Sequence, residues 1–437
     1  MSAAGNSNGG RTDTRLWHPF SNMAIARHEE FVIARGEDVW VWDTAGRPYL
    51  DATASLWYSM VGHGRPEIAR AVGEQLQLLE AYSTFGEYAT EPALRLADRL
   101  AELAPDPDAR IMLTTGGGEA IDTAAKLARR YWYALGQPER RHIIYRRNGY
   151  HGTNAFGTSL AGIDANRTGY GPLVEETELV AHDSAADMAV TIERLGPERV
   201  AAVLVEPVIG AGGVYPPPPG YLEEVAELCR STGVLFIADC VICGFGRLGT
   251  WWGVERWGLE PDLIVFAKGV TSGYLPLGGV VASGRVAEPF WSSASAGVFR
   301  HGATYSGHAT CCAAALANLD ILERDRLLAR GQELEGDLLA ALAPLADHPL
   351  VAEVRGGTGL LAAVELDAVF LDRHPDATAH VARLARDVGV LVRPLACALA
   401  VSPPLTVQPD HFTLIAEALT HAFDVTQLGP PVATPAS

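Results

Sequence analysis

Val234-Leu-Phe-Ile-Ala-Asp239 and Leu263-Ile-Val-Phe-Ala-Lys268 share one design: an unbroken apolar run that ends on a single charged residue. A run without alternation suits a strand covered on both faces, as in a mostly parallel sheet, and ligands of such sheets gather at the carboxyl ends of the strands. The charged residues stand at those ends. Further runs of the same kind are Ile111-Met-Leu113, His142-Ile-Ile-Tyr145, Val200-Ala-Ala-Val-Leu-Val205 and Gly279-Val-Val-Ala282. Helical patterns, first at Glu67 to Leu79 and Glu91 to Leu103, alternate with them. Strands alternating with helices predict an α/β fold with a mostly parallel sheet sandwiched by helices.

Outward from this core the character changes. Residues 1–15 are rich in Gly, Ser, Asn and Thr and read as a disordered tail. Phe31 to Thr53 alternates apolar and polar residues around a Thr44-Ala-Gly46 turn, which predicts a small antiparallel meander. We place 16–65 with a small domain, 66–310 in the large domain and 311–437 in the small α+β domain. Expected there are helices over Ala313 to Leu328 and Gly331 to Leu345, a strand over Gly359 to Glu365, a helix at Thr378 to Val388 and a last helix from Asp410. Pro216 to Pro219 reads as a stiff connection, and the end after Leu428 as a loose tail.

The chain of 437 residues is 48% hydrophobic and 20% charged, enough for a large core. Its 34 Lys+Arg against 52 Asp+Glu give a formal charge of −18, which repels polyphosphates and argues against nucleic acid and anionic membranes as partners. No apolar run approaches the ~20 residues of a membrane span. A cytoplasmic protein acting on small molecules is expected. The six cysteines show no disulfide-framework spacing, and Cys240-Val-Ile-Cys243, one pair without a second, carries no metal assignment.

The chemistry starts at Thr114-Thr-Gly-Gly-Gly-Glu-Ala120, a Gly-rich turn from strand to helix. The N–H groups of Gly117 and Gly118 at a helix N-terminus suit a phosphate, although glycines also serve tight turns. Asp239, at its strand end, needs a cationic or N–H partner; a structural salt bridge or a cap would also satisfy it. Lys268 is either a snorkelling surface lysine or a desolvated amine able to form a Schiff base. Together, a phosphate cradle, a buried acid and an amine are the anchor, pyridinium partner and imine former that pyridoxal phosphate requires.

On these residues the sequence resembles the class III, or ω-amino acid:pyruvate type, aminotransferases of the fold type I pyridoxal-phosphate enzymes. Segments carrying the resemblance are Leu56-Trp57-Tyr58 through Gly64, Gly117-Gly118-Glu119-Ala120, Gly149-Tyr150-His151-Gly152, Glu206-Pro207-Val208, Asp239 through Arg247, Ala267-Lys268-Gly269, His301-Gly302-Ala303-Thr304, and Arg393 before Pro403-Pro404. The resemblance implies a seven-stranded sheet and a homodimer with its active site at the subunit interface. Pyridoxal 5'-phosphate would be held by Lys268 as an internal aldimine, and Lys268 would then move the substrate proton. Asp239 would keep the pyridine nitrogen protonated. Tyr150 would stack on the ring, with Val241 behind it and His151 and Glu206 beside it. Gly117 and Gly118 would bind the phosphate, joined by Thr304 across the dimer. Trp57, Tyr150 and Arg393 would line the substrate pocket, Arg393 taking a keto-acid carboxylate; core packing for Trp57 and an interface salt bridge for Arg393 are the alternatives.

Gly118, Cys240 and Leu248 depart from the family pattern, which commonly has Ser, Glu and Thr there. The implied activity moves an amino group from a primary amine or ω-amino acid to a keto acid such as pyruvate, in a ping-pong cycle. Alternatives of the same fold are a diaminopelargonic acid aminotransferase, suggested by Leu16-Trp17-His18-Pro19-Phe20, and an aminomutase. A non-catalytic cofactor-binding protein is the reading from another class.

Overall fold

The computed structural model describes residues 14–426 except Ser293. The tail expected after Leu428, and that at 1–15 apart from Thr14 and Arg15, lie outside the described residues. The apolar runs build a seven-stranded sheet: β1 (Arg110–Thr114), β2 (His142–Arg146), β3 (Thr177–Val180), β4 (Val200–Val205), β5 (Leu235–Asp239), β6 (Leu263–Phe266) and β7 (Gly278–Ala282). Their spatial order is β1-β7-β6-β5-β4-β2-β3. Strands β2 to β6 pair in parallel, and β7 runs antiparallel to both β6 and β1.

The unbroken apolar character of these strands has a direct physical cause. Along β5, Phe236 and Ala238 enter one apolar cluster and Leu235 and Ile237 the other. In β4, Val203 and Val205 point to the first cluster and Ala202 and Leu204 to the second. Successive side chains leave a strand on opposite faces, so a sheet covered on both sides needs an apolar residue at every position. Helix α1 (Gly117–Ala134) covers one face through Ala120, Ile121, Ala124, Leu127, Ala128 and Tyr131, and α2 (Tyr221–Thr232) covers the other through Tyr221, Leu222, Val225 and Cys229.

Two four-stranded sheets complete the structure. The expected meander is present as Ile33–Glu37, Trp40–Asp43 and Pro48–Asp51, all antiparallel. Val390–Leu391, from far along the chain, pairs in parallel with Pro48–Asp51. The other sheet is antiparallel, with Val351–Arg355, Ala362–Leu366, Ala398–Val401 and Arg393–Pro394 in that order. The helix expected over Ala313 to Leu328 spans Ala309–Arg324 instead, because Arg326, with φ 53°, turns the chain into the left-handed region. The single helix expected over Gly331 to Leu345 is broken into Leu327–Glu333, Glu335–Leu342 and a short 3₁₀ turn, Ala343–Asp347. Among the described residues, no helix is long and apolar enough to cross a membrane.

Arg247 ties the C-terminal segments to the loop after β5. Its guanidinium is fully buried and donates to the carbonyls of Leu360 (2.8 Å) and Pro403 (2.7 Å). Desolvation pushes its pKa down to about 9, against the favourable field of Asp51. Replacing it with Met strands two buried acceptors, each worth roughly 1–3 kcal/mol. Arg247→Met is therefore expected to destabilise the protein by about 2–6 kcal/mol in a denaturant titration. An unchanged midpoint would contradict that role.

Candidate active site

The carboxyl ends of β5 and β6 open into a cavity of about 430 Å³. Asp239 is the last residue of β5 and pairs in register with Val265 of β6, so Lys268 follows just beyond the end of the neighbouring strand. Both line the cavity, as do Gly117, Gly118, Tyr150, His151, Glu206 and Val241. Eight residues singled out in the sequence thus converge on one space.

Asp239 is only 4% exposed, and its charge is met by directed donors. His151 Nδ1 lies 2.7 Å from Oδ2, and the Val241 N–H donates to Oδ1 at 3.1 Å. A carboxylate only accepts, so Nδ1 carries the proton and the tautomer of His151 follows. Glu206, equally buried, accepts from the N–H groups of Tyr150 (3.0 Å) and Gly210 (2.9 Å), while Arg146 donates to its backbone carbonyl. Burial pushes the Glu206 carboxyl up, with His151 pulling the other way.

Lys268 sits at φ 49°, in the left-handed region that costs a non-glycine residue of order 1–3 kcal/mol. Burial pushes its ammonium down to about 8, although Asp239 and Glu206 favour the charge. Desolvation therefore outweighs the two carboxylates. The chain carries only one other lysine, Lys126, which is hydrogen-bonded to His301 at 2.9 Å and does not line the cavity.

The opposite end of the cavity is the N-terminus of α1. Gly117 and Gly118 open it, and a Cβ on Gly117 would press on Val241 at 3.2 Å. Gly152 has φ 86°, and its missing Cβ lets the loop after Tyr150 approach Gly118 Cα to a distance no side chain permits. An amine, a buried carboxylate and the N–H groups of two glycines at a helix end match the three polar demands of pyridoxal phosphate, so the residues present fit that cofactor.

Trp57 and Arg393 stand beside this cavity rather than in its lining. The Trp57 ring lies 5.5 Å from Lys268 Nζ and 5.9 Å from Arg393 Cζ, so it is flanked by both cations. It also packs in an apolar cluster with Val208, Val214 and Ile242, so it serves the core as well. Trp57 has φ 59°, and Ala54 and Ser55 are left-handed too. Asp51 holds that segment: it accepts from the Thr53 hydroxyl (2.8 Å), the Ser55 N–H (2.7 Å) and His63 (2.8 Å). Arg393 forms no ion pair among the described residues, and burial lowers its pKa. Thr304 is exposed in a turn outside the cavity. Cys240 is fully buried, and the Cys243 thiol donates to the Val208 carbonyl at 3.3 Å.

Sequence reasoning missed Asp51, Thr115, Asn154 and Ile242. The last three line the cavity. Asn154 had a readable signal, a polar residue just after Tyr150-His-Gly152; Asp51 had none, because its partners meet it only in the folded chain.

Residues 23–423 match the family model for aminotransferase class-III. The chain belongs to the class-III aminotransferases. It is 38% identical over 402 residues to the putrescine–pyruvate aminotransferase of Pseudomonas aeruginosa, covering 87% of each chain. It is 36% identical to an omega-aminotransferase of Caulobacter vibrioides, over 92% of this chain and 96% of that one. Among solved structures, an amine transaminase from an uncultivated Pseudomonas species in its PLP-bound form superposes with a TM-score of 0.90 at 36% identity, covering 94% of this chain and 99% of that one. An (S)-enantioselective omega-transaminase from Thermomicrobium roseum gives 0.89 at 40% identity, covering 93% and 95%. The fold is that of the fold type I transaminases, and the protein is an enzyme of this class.

The lowered pKa of Lys268 makes a kinetic prediction. Only the neutral amine attacks an aldehyde, so in cofactor-free protein carrying Lys126→Arg, capture of pyridoxal at position 268 should rise with pH and level off above about 9. A rate still climbing past pH 10, as an ordinary lysine of pKa ≈ 10.4 would give, contradicts the desolvated amine.

Proposed function

We propose that this class-III aminotransferase moves an amino group from a primary amine or ω-amino acid to a keto acid such as pyruvate, with pyridoxal 5'-phosphate as its cofactor. The observation that carries the reading is the meeting of Lys268, Asp239 and the Gly117-Gly118 helix end in one cavity. The putrescine–pyruvate enzyme among its relatives supports the choice of an amine donor and pyruvate.

When bound, pyridoxal phosphate supplies an aldehyde carbon and an electron-withdrawing ring. The chain's own residues do the rest. Gly117 and Gly118 offer their N–H groups to the phosphate, helped by the dipole of α1. Asp239, oriented by His151, would hold a proton on the ring nitrogen. Tyr150 and Val241, both in the cavity lining, would hold the ring, and Glu206 fixes the Tyr150 backbone by accepting from its N–H. Lys268 Nζ, neutral above about pH 8, is the amine that would hold the cofactor and, once released, the base that would take the proton from the substrate carbon bearing nitrogen.

Trp57 and Tyr150 wall the substrate side. Arg393, without an ion-pair partner among the described residues, binds the keto-acid carboxylate in bidentate fashion. Donor and acceptor occupy the same site in turn, so the kinetics are ping-pong. The enzyme works as a cytoplasmic homodimer in which Thr304 reaches the phosphate of the partner's site; its exposure on the single chain and six unpaired cysteines are in keeping with this.

Lys268→Ala is expected to abolish multiple turnovers of amine with pyruvate, followed by alanine formation; retained turnover would refute the assignment. Arg393→Ala should raise KM for pyruvate by about 10–100-fold, the worth of hydrogen bonds to a charged group, while kcat/KM for an uncharged amine stays within about twofold. Equal losses for both substrates would contradict a carboxylate-binding role.

A further inference from the structure

The phosphate end of the cavity begins on two glycines, so neither Gly117 nor Gly118 offers a side-chain donor. The Thr115 hydroxyl is already engaged, donating to Glu119 Oε2 at 2.7 Å. Asn154 is different. It lines the same cavity, its carboxamide makes no hydrogen bond among the described residues, and it does not cap the helix Ala155–Ser159 that it precedes. A Cβ built on Gly118 would lie 3.1 Å from Asn154 Oδ1 and 3.8 Å from Nδ2. The carboxamide therefore occupies the space next to Gly118 that a side chain at position 118 would enter.

Its placement is held from two sides. The close approach of Gly152 to Gly118 presses the loop onto the start of α1. Asp122, one turn further along α1, accepts from the N–H groups of Phe156 (3.0 Å) and Gly157 (3.2 Å), which fastens the short helix behind Asn154. A primary amide carries two N–H donors, and a half-turn about its last bond exchanges them with the oxygen.

Resting on the proposed phosphate cradle, we infer that Asn154 is a cofactor-positioning residue whose carboxamide N–H donates to the phosphate, replacing the side-chain donor that Gly118 lacks. Gly118 and Asn154 then form a complementary pair: the missing side chain at one position makes room for the amide from the other.

The test is equilibrium binding of pyridoxal phosphate, and of pyridoxal without phosphate, to cofactor-free protein by absorbance and tryptophan fluorescence. Asn154→Ala should weaken pyridoxal phosphate about 10–100-fold and leave pyridoxal unchanged. Adding Gly118→Ser to Asn154→Ala should restore most of the loss, because the new hydroxyl enters the vacated space. Unchanged binding of pyridoxal phosphate by Asn154→Ala overturns the inference, and equal weakening of both ligands overturns it in favour of a role in loop structure. A wild type that binds both ligands alike would overturn the cradle itself, an outcome distinct from failure at Asn154.

Discussion

Everything at this site depends on supplying hydrogen-bond donors to one almost fully buried carboxylate. Asp239 ends a strand whose two faces are sealed by apolar clusters, and an isolated carboxylate there would protonate or unfold its surroundings. The structure offsets the cost with a histidine proton on one oxygen and a backbone N–H on the other. Both donors come from turns that begin where strands end, so the sheet supplies the burial and the loops supply the compensation. The ring nitrogen of a cofactor would complete the set as a third, charged donor.

The same sheet sets the amine against the acid. Parallel pairing of β5 with β6 fixes where each strand stops, and the left-handed turn at Lys268 brings its side chain back over the cavity. Desolvation then makes that amine a nucleophile near neutral pH, while two nearby carboxylates keep its pKa from falling further. Lys268, in the cavity lining, and Trp57, whose ring lies 5.5 Å from its Nζ, are both at positive φ, and stored backbone strain is often found at such sites. Asp51 holds the 53–55 turn through the Thr53 hydroxyl and the Ser55 N–H, and Arg247 holds the C-terminal segments through the carbonyls of Leu360 and Pro403.

Most of the sheet was legible because full burial writes itself as unbroken Val, Ile, Leu and Phe. β3 was not: Thr177–Val180 is a short edge strand carrying Glu178, and a half-covered edge leaves no such run. Asp239, Lys268 and the Gly-rich turn were legible because a charge after an apolar strand and glycines before a helix each have few local explanations. Trp57 beside Lys268 was not visible in the residues alone, since non-glycine residues at positive φ are imposed by tertiary partners such as Asp51. The pairing of Gly118 with Asn154 was hidden for the same reason, being a contact between two loops and not a pattern within either.

Borohydride reduction of the cofactor-loaded protein, followed by proteolysis and peptide mass mapping, tests directly whether Lys268 and not Lys126 carries the cofactor. A phosphopyridoxyl group is expected on the peptide containing Lys268, with Lys126 unlabelled. Label on Lys126, or none on either lysine, would contradict that role of Lys268.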